Sequence, residues 1–172
     1  VIIGAPQDDD SGGDSGSAYI YRYAGGDAWS FEQKIIASDG PSAGDNFGFS
    51  VSIDGDPAVI GAAHDDENYT QSGSASVFRR DGFVWSEEVK LFASDANVGD
   101  RFGCSVSIDG NVVVIGAESF NHSSYDMGAA FVFFFDGNDW FEKSRLIGDE
   151  AVHAAQGDQL GYSVSISGAG LE

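Results

Sequence analysis

The chain has 172 residues, 42% hydrophobic and 13% aromatic, which is enough apolar material for one folded domain and excludes a disordered acidic tail. Its formal net charge of −20 argues against binding to nucleic acid or to anionic membrane surfaces, because both require a basic footprint. The single cysteine, Cys104, excludes an intramolecular disulfide, and no apolar run reaches the roughly 20 residues of a membrane helix. We therefore expect no nucleic-acid partner and no membrane insertion.

A ten-residue motif recurs along the chain with a period of roughly 50 residues, which is typical of repeat architectures. Its three copies, each with the pattern Gly-Asp-x-(Phe/Leu)-Gly-x-Ser-Val-Ser-Ile, occupy residues 44–53, 99–108 and 157–166. The motif divides a single repeat domain, 1–172, into units 1–43, 44–98 and 99–156, followed by a closing strand in 157–170. We interpret 171–172 (Leu-Glu) as a cloning scar, so the chain is expected to be an expressed fragment.

The unit 44–98 shows the elements of one repeat in chain order. Strand one alternates apolar and polar residues over 49–53, and Asp54-Gly55 then favours a hairpin turn. Strands two, three and four follow at 58–62, 74–79 and 85–92. Four short antiparallel strands per repeat, without helical periodicity, are typical of a β-propeller blade. The pattern therefore predicts an all-β protein with three blades' worth of strands, twelve in total, in which 163–166 completes the first blade.

Two sequence markers identify a resemblance to a known family. Phe-Gly opens strand one at Phe47-Gly48 and Phe102-Gly103, and Gly-Ala-Pro follows strand two at residues 4–6. The chain thus resembles FG-GAP repeat proteins, including the propeller of integrin α subunits, over essentially its whole length. The resemblance implies a propeller fold, an extracellular or cell-surface location and a role in adhesion. The integrin calcium loop is absent, because the connection between strands one and two is only Asp54-Gly55-Asp56 in unit 44–98.

Strand parity places more than half of the 28 acidic residues at one end of the predicted blades, where Arg101 is the only opposing charge we expect. Calcium prefers such oxygen ligands, so we predict calcium binding at this end, although the spacing matches no standard loop. The same residues also fit a solvated surface that keeps the protein soluble. The candidate metal ligands are Asp8, Asp10, Asp14, Asp65 and Asp66. The aspartates of the Gly-Asp pairs are instead expected to cap turns.

The same end carries two potential N-glycosylation sites, at Asn68 and Asn121. Chance can also produce such tripeptides. The repeated tryptophans at positions 29, 85 and 140 are expected to pack between blades rather than to bind sugars.

Two functional hypotheses follow. The first is a non-catalytic extracellular recognition or adhesion module that binds a protein or glycan through its acidic loop face. No catalytic residue is assigned, because the sequence contains no recognisable catalytic motif. The alternative is the scaffold or catalytic part of an FG-GAP-containing hydrolase or lyase acting on glycans or lipids. In that case His64, His122 or His153 would act as a base beside Asp65 or Asp126.

The predicted strands also suggest how the protein assembles. Three blades alone would leave apolar faces and strand edges exposed, and closed propellers typically have four to eight blades. We therefore expect either a homodimer that forms a six-bladed ring or a fragment of a larger propeller.

Overall fold

The computed structural model describes residues 1–40, 42–122, 125–148 and 157–168, and within these ranges the regular structure is antiparallel β-sheet without helix. Each repeat contributes one sheet, which we call blades one, two and three. Blade one contains β1 (Ile2–Ala5), β2 (Ser17–Gly25) and β3 (Ala28–Ile35). Blade two contains β4 (Ser50–Ile53), β5 (Pro57–Ala62), β6 (Ser74–Asp81) and β7 (Val84–Leu91).

Blade three has the same layout, with one addition. Its strands are β8 (Phe102–Asp109), β9 (Val112–Ala117), β12 (Ala129–Phe135) and β13 (Trp140–Ile147), which pair in the order β13-β12-β9-β8. A small hairpin, β10 (Asn121–His122) with β11 (Tyr125–Asp126), lies in the loop between β9 and β12 and was not predicted. Tight turns connect the first two strands; Gly110 adopts a φ of 56° there, which is costly for most other residues.

Two apolar cores lie between the sheets rather than within one of them. Ile60 and Trp85 of blade two pack against Ile20 of blade one, and all three are almost fully buried. Between blades two and three, Phe102 of blade three packs with Val77 of blade two. Each pair of neighbouring sheets therefore buries the two faces that meet between them. The prediction of an all-β protein with propeller-type blades is confirmed.

The predicted completion of blade one does not occur within a single chain. Residues 163–166 form no strand, and within the described ranges β1 pairs on one edge only, with β2. The segment instead lies against blade three, where Leu160 bridges to Gly128 and the Ile166 N–H donates to Ser107 Oγ at 3.1 Å. Within the part of the chain that the structure describes, the blades thus contain eleven strands, not twelve.

The reason is the way in which the repeats stack. The head of each strand one bridges to the start of strand three in the preceding repeat, at Gly16–Phe47 and Gly73–Phe102. The pair Gly128–Leu160 repeats this contact, so 157–166 begins a fourth repeat at the end of the stack opposite β1. Residues 171–172 and the end of unit 99–156 lie outside the described residues.

Candidate functional site

The loops that carry the predicted ligands gather at one end of the three blades. Because antiparallel strands alternate in direction, the β1–β2, β5–β6 and β9–β12 loops share an end with the links between blades. In the first two repeats the same arrangement recurs there: a carboxylate from the β1–β2 or β5–β6 loop meets a lysine from the outermost strand of the same blade. We call these the Asp8 cluster and the Asp65 cluster.

The Asp8 cluster is organised by Lys34 on β3. Its Nζ lies 3.0 Å from Asp8 Oδ1 and 2.6 Å from Asp10 Oδ2. Asp8 Oδ2 also accepts hydrogen bonds from Tyr19 Oη at 2.7 Å and from Ser17 Oγ at 2.9 Å. The Tyr19 hydrogen bond, followed by that of Lys34, holds the pKa of Asp8 well below its usual range. Asp8 is therefore a fixed anion whose charge the lysine already balances.

The third predicted ligand of this loop is held differently. Asp14 joins the network through its backbone N–H, which donates to Asp9 Oδ1 at 2.7 Å. Its φ of 53° places it in the left-handed region, which aspartate tolerates better than most residues.

The Asp65 cluster repeats this design and is more deeply buried. Asp65 is 3% exposed, and its Oδ2 accepts a hydrogen bond from Ser74 Oγ at 2.7 Å. Lys90 Nζ on β7 lies 2.6 Å from Asp65 Oδ2, 2.5 Å from Asp39 Oδ2 and 2.7 Å from Glu67 Oε2. Burial would lower the pKa of Lys90, but hydrogen bonds to these three carboxylates outweigh it and raise the pKa. The ammonium thus stays charged.

Asp66, the neighbouring predicted ligand, is exposed, and its carboxylate stabilises a turn of the backbone. Its Oδ1 accepts a hydrogen bond from the Gln71 N–H at 2.6 Å, across a turn in which Gln71 has a φ of 53°.

The third repeat replaces this cluster with a different interaction. Phe120 stands at the position of Asp65 in the repeat, and Arg145 stands at that of Lys90. The guanidinium of Arg145 lies over the Phe120 ring, 5.1 Å from its centroid, and also pairs with Asp95. The anion–ammonium pair has thus become a cation–π contact, so the acidic site belongs to the first two repeats.

A cavity of about 390 Å³ opens beside the Asp65 cluster, between the loops of blades one and two. The side chains that matter for its charge are those of Asp39, Asp45, Asp65, Asp66, Glu67 and Lys90. Burial, and then the nearby charge of Asp65, raises the pKa of Asp45. The wall of this cavity is therefore strongly acidic. We call it the acidic pocket.

The turn-capping role predicted for the Gly-Asp aspartates is confirmed at two positions. Asp45 Oδ2 accepts a hydrogen bond from the Ser42 N–H at 3.1 Å, and Asp100 Oδ2 accepts one from the Asn97 N–H at 2.7 Å.

The lysines were missed by the sequence analysis, and the expectation that only Arg101 opposes the acidic face is wrong. Lys34 and Lys90 lie on the outer strands, outside the loops, yet their long side chains reach the carboxylates. The sequence does contain a signal for these pairs. Both lysines occupy the same position of the repeat, and the repeats that contain them carry Asp8 and Asp65 at another shared position. Arg101 itself pairs with Glu118 at 3.0 Å.

No group of three or more histidine, cysteine, aspartate or glutamate residues arranged to hold a metal ion occurs in the described part of the chain. At Asp8, Asp10 and Asp65 an ammonium group already lies among the carboxylates. Calcium binding by these residues stays a prediction, and a bound ion would have to displace a lysine.

Two of the histidines proposed as bases, His64 and His122, lie in loops of different blades. His64 Nδ1 pairs with Asn46 Oδ1, its ring packs edge-on against Phe49, and burial lowers its pKa. The Nδ1 atom of His64 thus pairs with an amide oxygen rather than with Asp65. His122 and Asp126 lie on the paired strands β10 and β11, and His153 is outside the described residues.

Both predicted glycosylation sites lie in loop regions at the acidic end. Asn68 is exposed in the β5–β6 loop, and Asn121, also exposed, begins β10. Ser123, which completes the second tripeptide, is outside the described residues.

Comparisons with known proteins agree with this architecture. The model of the FG-GAP repeat family matches residues 29–78 and 85–133, which together make up more than half of the chain. A search of curated proteins found no significant match. Within the described ranges, no helix is long and apolar enough to cross a membrane. The repeated sheets and the extent of the family match show that the chain belongs to the FG-GAP repeat family.

Proposed function

We propose that this protein is a non-catalytic extracellular recognition module that binds cationic groups of a partner protein in the acidic pocket. FG-GAP repeats indicate a β-propeller-like module and are typical of extracellular or cell-surface proteins, which supports the location. The observation that carries the proposal is the acidic pocket itself, whose carboxylates outnumber the single lysine among its lining residues.

The chemistry of the pocket favours a basic side chain as the ligand. Lys90 shows that the pocket accommodates an ammonium group, which three carboxylates contact within 2.7 Å. Asp45 carries a raised pKa because burial and a neighbouring anion disfavour its charge. A second cation placed beside Asp45 would relieve that repulsion, and the net charge of −20 would speed its approach.

Fluorescence anisotropy with a labelled oligolysine peptide tests this proposal. Asp39→Asn combined with Glu67→Gln removes two charges from the pocket rim and should weaken binding by roughly two- to thirtyfold, at about 0.2–1 kcal/mol per exposed charge. The matched control, Asp27→Asn combined with Asp56→Asn, removes two exposed charges from the hairpin-turn end of the blades. It should retain nearly the original affinity.

Equal weakening by both double variants would show that only net charge matters, and would overturn the proposal. The absence of binding at physiological salt would overturn it as well. An oligoglutamate peptide of the same length serves as the negative probe.

A further inference from the structure

A second cavity, of about 560 Å³, opens on the outer side of the joint between blades one and two. One wall is the end of β3 with the link that follows it, and the other is Phe78 of β6 with part of β7. Ile36 in the link is 41% exposed, so this apolar side chain is accessible to a ligand. We call this space the apolar cavity, after the side chains of Ile35, Ile36, Ala37, Phe78 and Trp85 that line it.

Gln33 is one reason why the cavity forms at this joint. It stands where the next repeat has Val89, which packs against the apolar core between blades two and three. The Gln33 side chain instead reaches the backbone of Trp85, where Nε2 donates to the carbonyl oxygen and Oε1 accepts from the N–H, both at 2.8 Å. The prediction that the tryptophans pack between blades holds for Trp85 and Trp140 but not for Trp29, which is 52% exposed.

The link between the blades is the second reason. The segment 39–44 is one residue longer than the equivalent segment 95–99 of the next repeat. In that shorter link Ala96 packs against the core between blades two and three. At Gly40 in the longer link, a built Cβ would meet nothing within 4 Å. The longer link therefore lines the cavity without filling it.

The charged groups that line the apolar cavity already have partners. Glu87 Oε2 accepts a hydrogen bond from the Ser38 N–H at 2.8 Å, and Glu87 Oε1 accepts one from Ser76 Oγ at 3.0 Å. Lys34 belongs to the Asp8 cluster. The surface that the cavity offers to a ligand is therefore mainly apolar, which favours an apolar side chain.

The apolar cavity is continuous with the acidic pocket. Gly40 lines both of them. A smaller cavity of about 270 Å³ also connects them, because it shares Ser38 and Glu87 with the apolar cavity and Lys90 with the acidic pocket. The three spaces form one groove along the outer side of the joint, which we call the outer groove. It leads from apolar side chains at one end to carboxylates at the other.

We propose that the outer groove binds an extended segment of the partner protein, in which an apolar side chain lies two residues from a basic one; this rests on the proposed function, in which the acidic pocket holds the basic side chain. Charge complementarity selects such a segment, because the carboxylates lie at one end of the groove only. With a net charge of −20, a second copy of this chain fits the same groove poorly.

The spacing follows from the wall of the groove. Ile36 and Asp39 are three positions apart along the link, so their Cα atoms are separated by at most about 10 Å. In an extended segment, side chains two residues apart lie about 7 Å from each other and point to the same side, whereas adjacent side chains point to opposite sides. A spacing of two residues therefore matches the groove.

Fluorescence anisotropy with labelled peptides tests the proposal. The oligolysine peptide is extended by Gly-Leu after its last lysine or by Leu-Gly before its first, because the groove fixes no chain direction, and each is compared with a peptide that has serine in place of leucine. One of the two leucine peptides should bind roughly three- to tenfold more tightly than its serine counterpart, as expected for partial burial of a leucine side chain. A peptide with leucine directly next to the lysine should gain less than about twofold.

Variants of the protein locate the gain. Ile36→Ser removes the exposed apolar side chain and should reduce the gain from leucine to less than about twofold, without changing the affinity for oligolysine. Val98→Ser, at a 63% exposed position in the next link, should keep the full gain. Asp39→Asn combined with Glu67→Gln should weaken the leucine and serine peptides by the same factor.

A second variant fills the cavity from an exposed strand position. Ser86→Trp should abolish the gain from leucine, whereas Ser30→Trp, at the same position of the first repeat and also exposed, should not. Circular dichroism checks that each variant is folded.

The outcomes separate this proposal from the proposed function. Equal affinities for the leucine and serine peptides, with binding that still depends on Asp39 and Glu67, would overturn the outer groove and leave the acidic pocket standing. A gain that persists in both Ile36→Ser and Ser86→Trp would overturn it as well, and an equal gain from the adjacent leucine would refute the spacing. The absence of any oligolysine binding would overturn both proposals.

Discussion

Replacing Gly61 by alanine should destabilise the protein through a steric clash between two blades. Gly61 lies on β5, and a Cβ built there would be 2.0 Å from the carbonyl oxygen of Gly103 in blade three. Its φ is not in the left-handed region, so alanine is compatible with the local backbone. Gly103 belongs to a Phe-Gly marker and Gly61 to the repeated Ile-Gly-Ala, so the two repeat markers meet at this boundary.

The size of the effect follows from the contact distance. The van der Waals contact distance between a Cβ and a carbonyl oxygen is roughly 3.5 Å, so the two sheets must move apart by more than 1 Å or deform locally. Overpacking of this type costs about 1–3 kcal/mol, and we expect the upper end because the opposing atom belongs to the backbone. For a protein of this length, about 3 kcal/mol lowers the melting temperature by about 6–12 °C.

Thermal and urea unfolding, followed by circular dichroism, measure this change against two control glycines. Gly13 has nothing within 4 Å of a built Cβ, and Gly13→Ala should alter stability by less than about 0.5 kcal/mol. Gly55 is equally open but has a φ of 65°, so Gly55→Ala isolates a backbone cost of roughly 1–2 kcal/mol. A Gly61→Ala protein as stable as the Gly13→Ala control would refute the close approach of the blades.

Three further predictions concern the acidic end. Burial raises the pKa of Asp45 in the folded state, so the charge of this carboxylate opposes folding at neutral pH. The Asp45→Asn variant should therefore be more stable than the unmodified chain at pH 7. Unfolding curves should show that this difference in stability disappears as the pH falls below the unfolded pKa of about 3.8. A pH-independent difference would contradict this origin. Lys90→Met leaves a buried carboxylate without its cation and should cost about 3–5 kcal/mol in urea unfolding, whereas the exposed Lys143→Met should cost little. If the Asp8 cluster binds calcium, the melting temperature should be higher in calcium than in chelator, and Asp8→Ala with Asp10→Ala should abolish the difference; identical melting curves would exclude binding there.

The architecture was predictable because each level of the sequence carries the same information. The alternation of apolar and polar residues predicts the strands, and the Asp-Gly pairs predict the turns. The repeated Phe-Gly and Gly-Ala markers indicate how the repeats stack. Strand parity then places the loops, so that the acidic end followed without knowledge of side-chain positions.

Two features could not be derived in this way. The lysine–carboxylate clusters depend on how far Lys34 and Lys90 extend from the outer strands towards loops of distant sequence position. The location of 163–166 depends on a choice between continuing the stack and closing it, and both options satisfy the same strand pattern. Packing between repeats decides which arrangement forms, and this packing cannot be read from the local sequence pattern.

The central functional claim is that the acidic pocket between blades one and two is the binding surface. Amide chemical-shift mapping by NMR, during titration with an oligolysine peptide, tests it most directly. The account predicts that shifts concentrate in residues 36–40, 42–46 and 63–72, and that the Asp39→Asn, Glu67→Gln double variant needs a higher peptide concentration to reach the same shifts. Shifts centred on the hairpin turns at the opposite end, or spread evenly over the acidic surface, would contradict it.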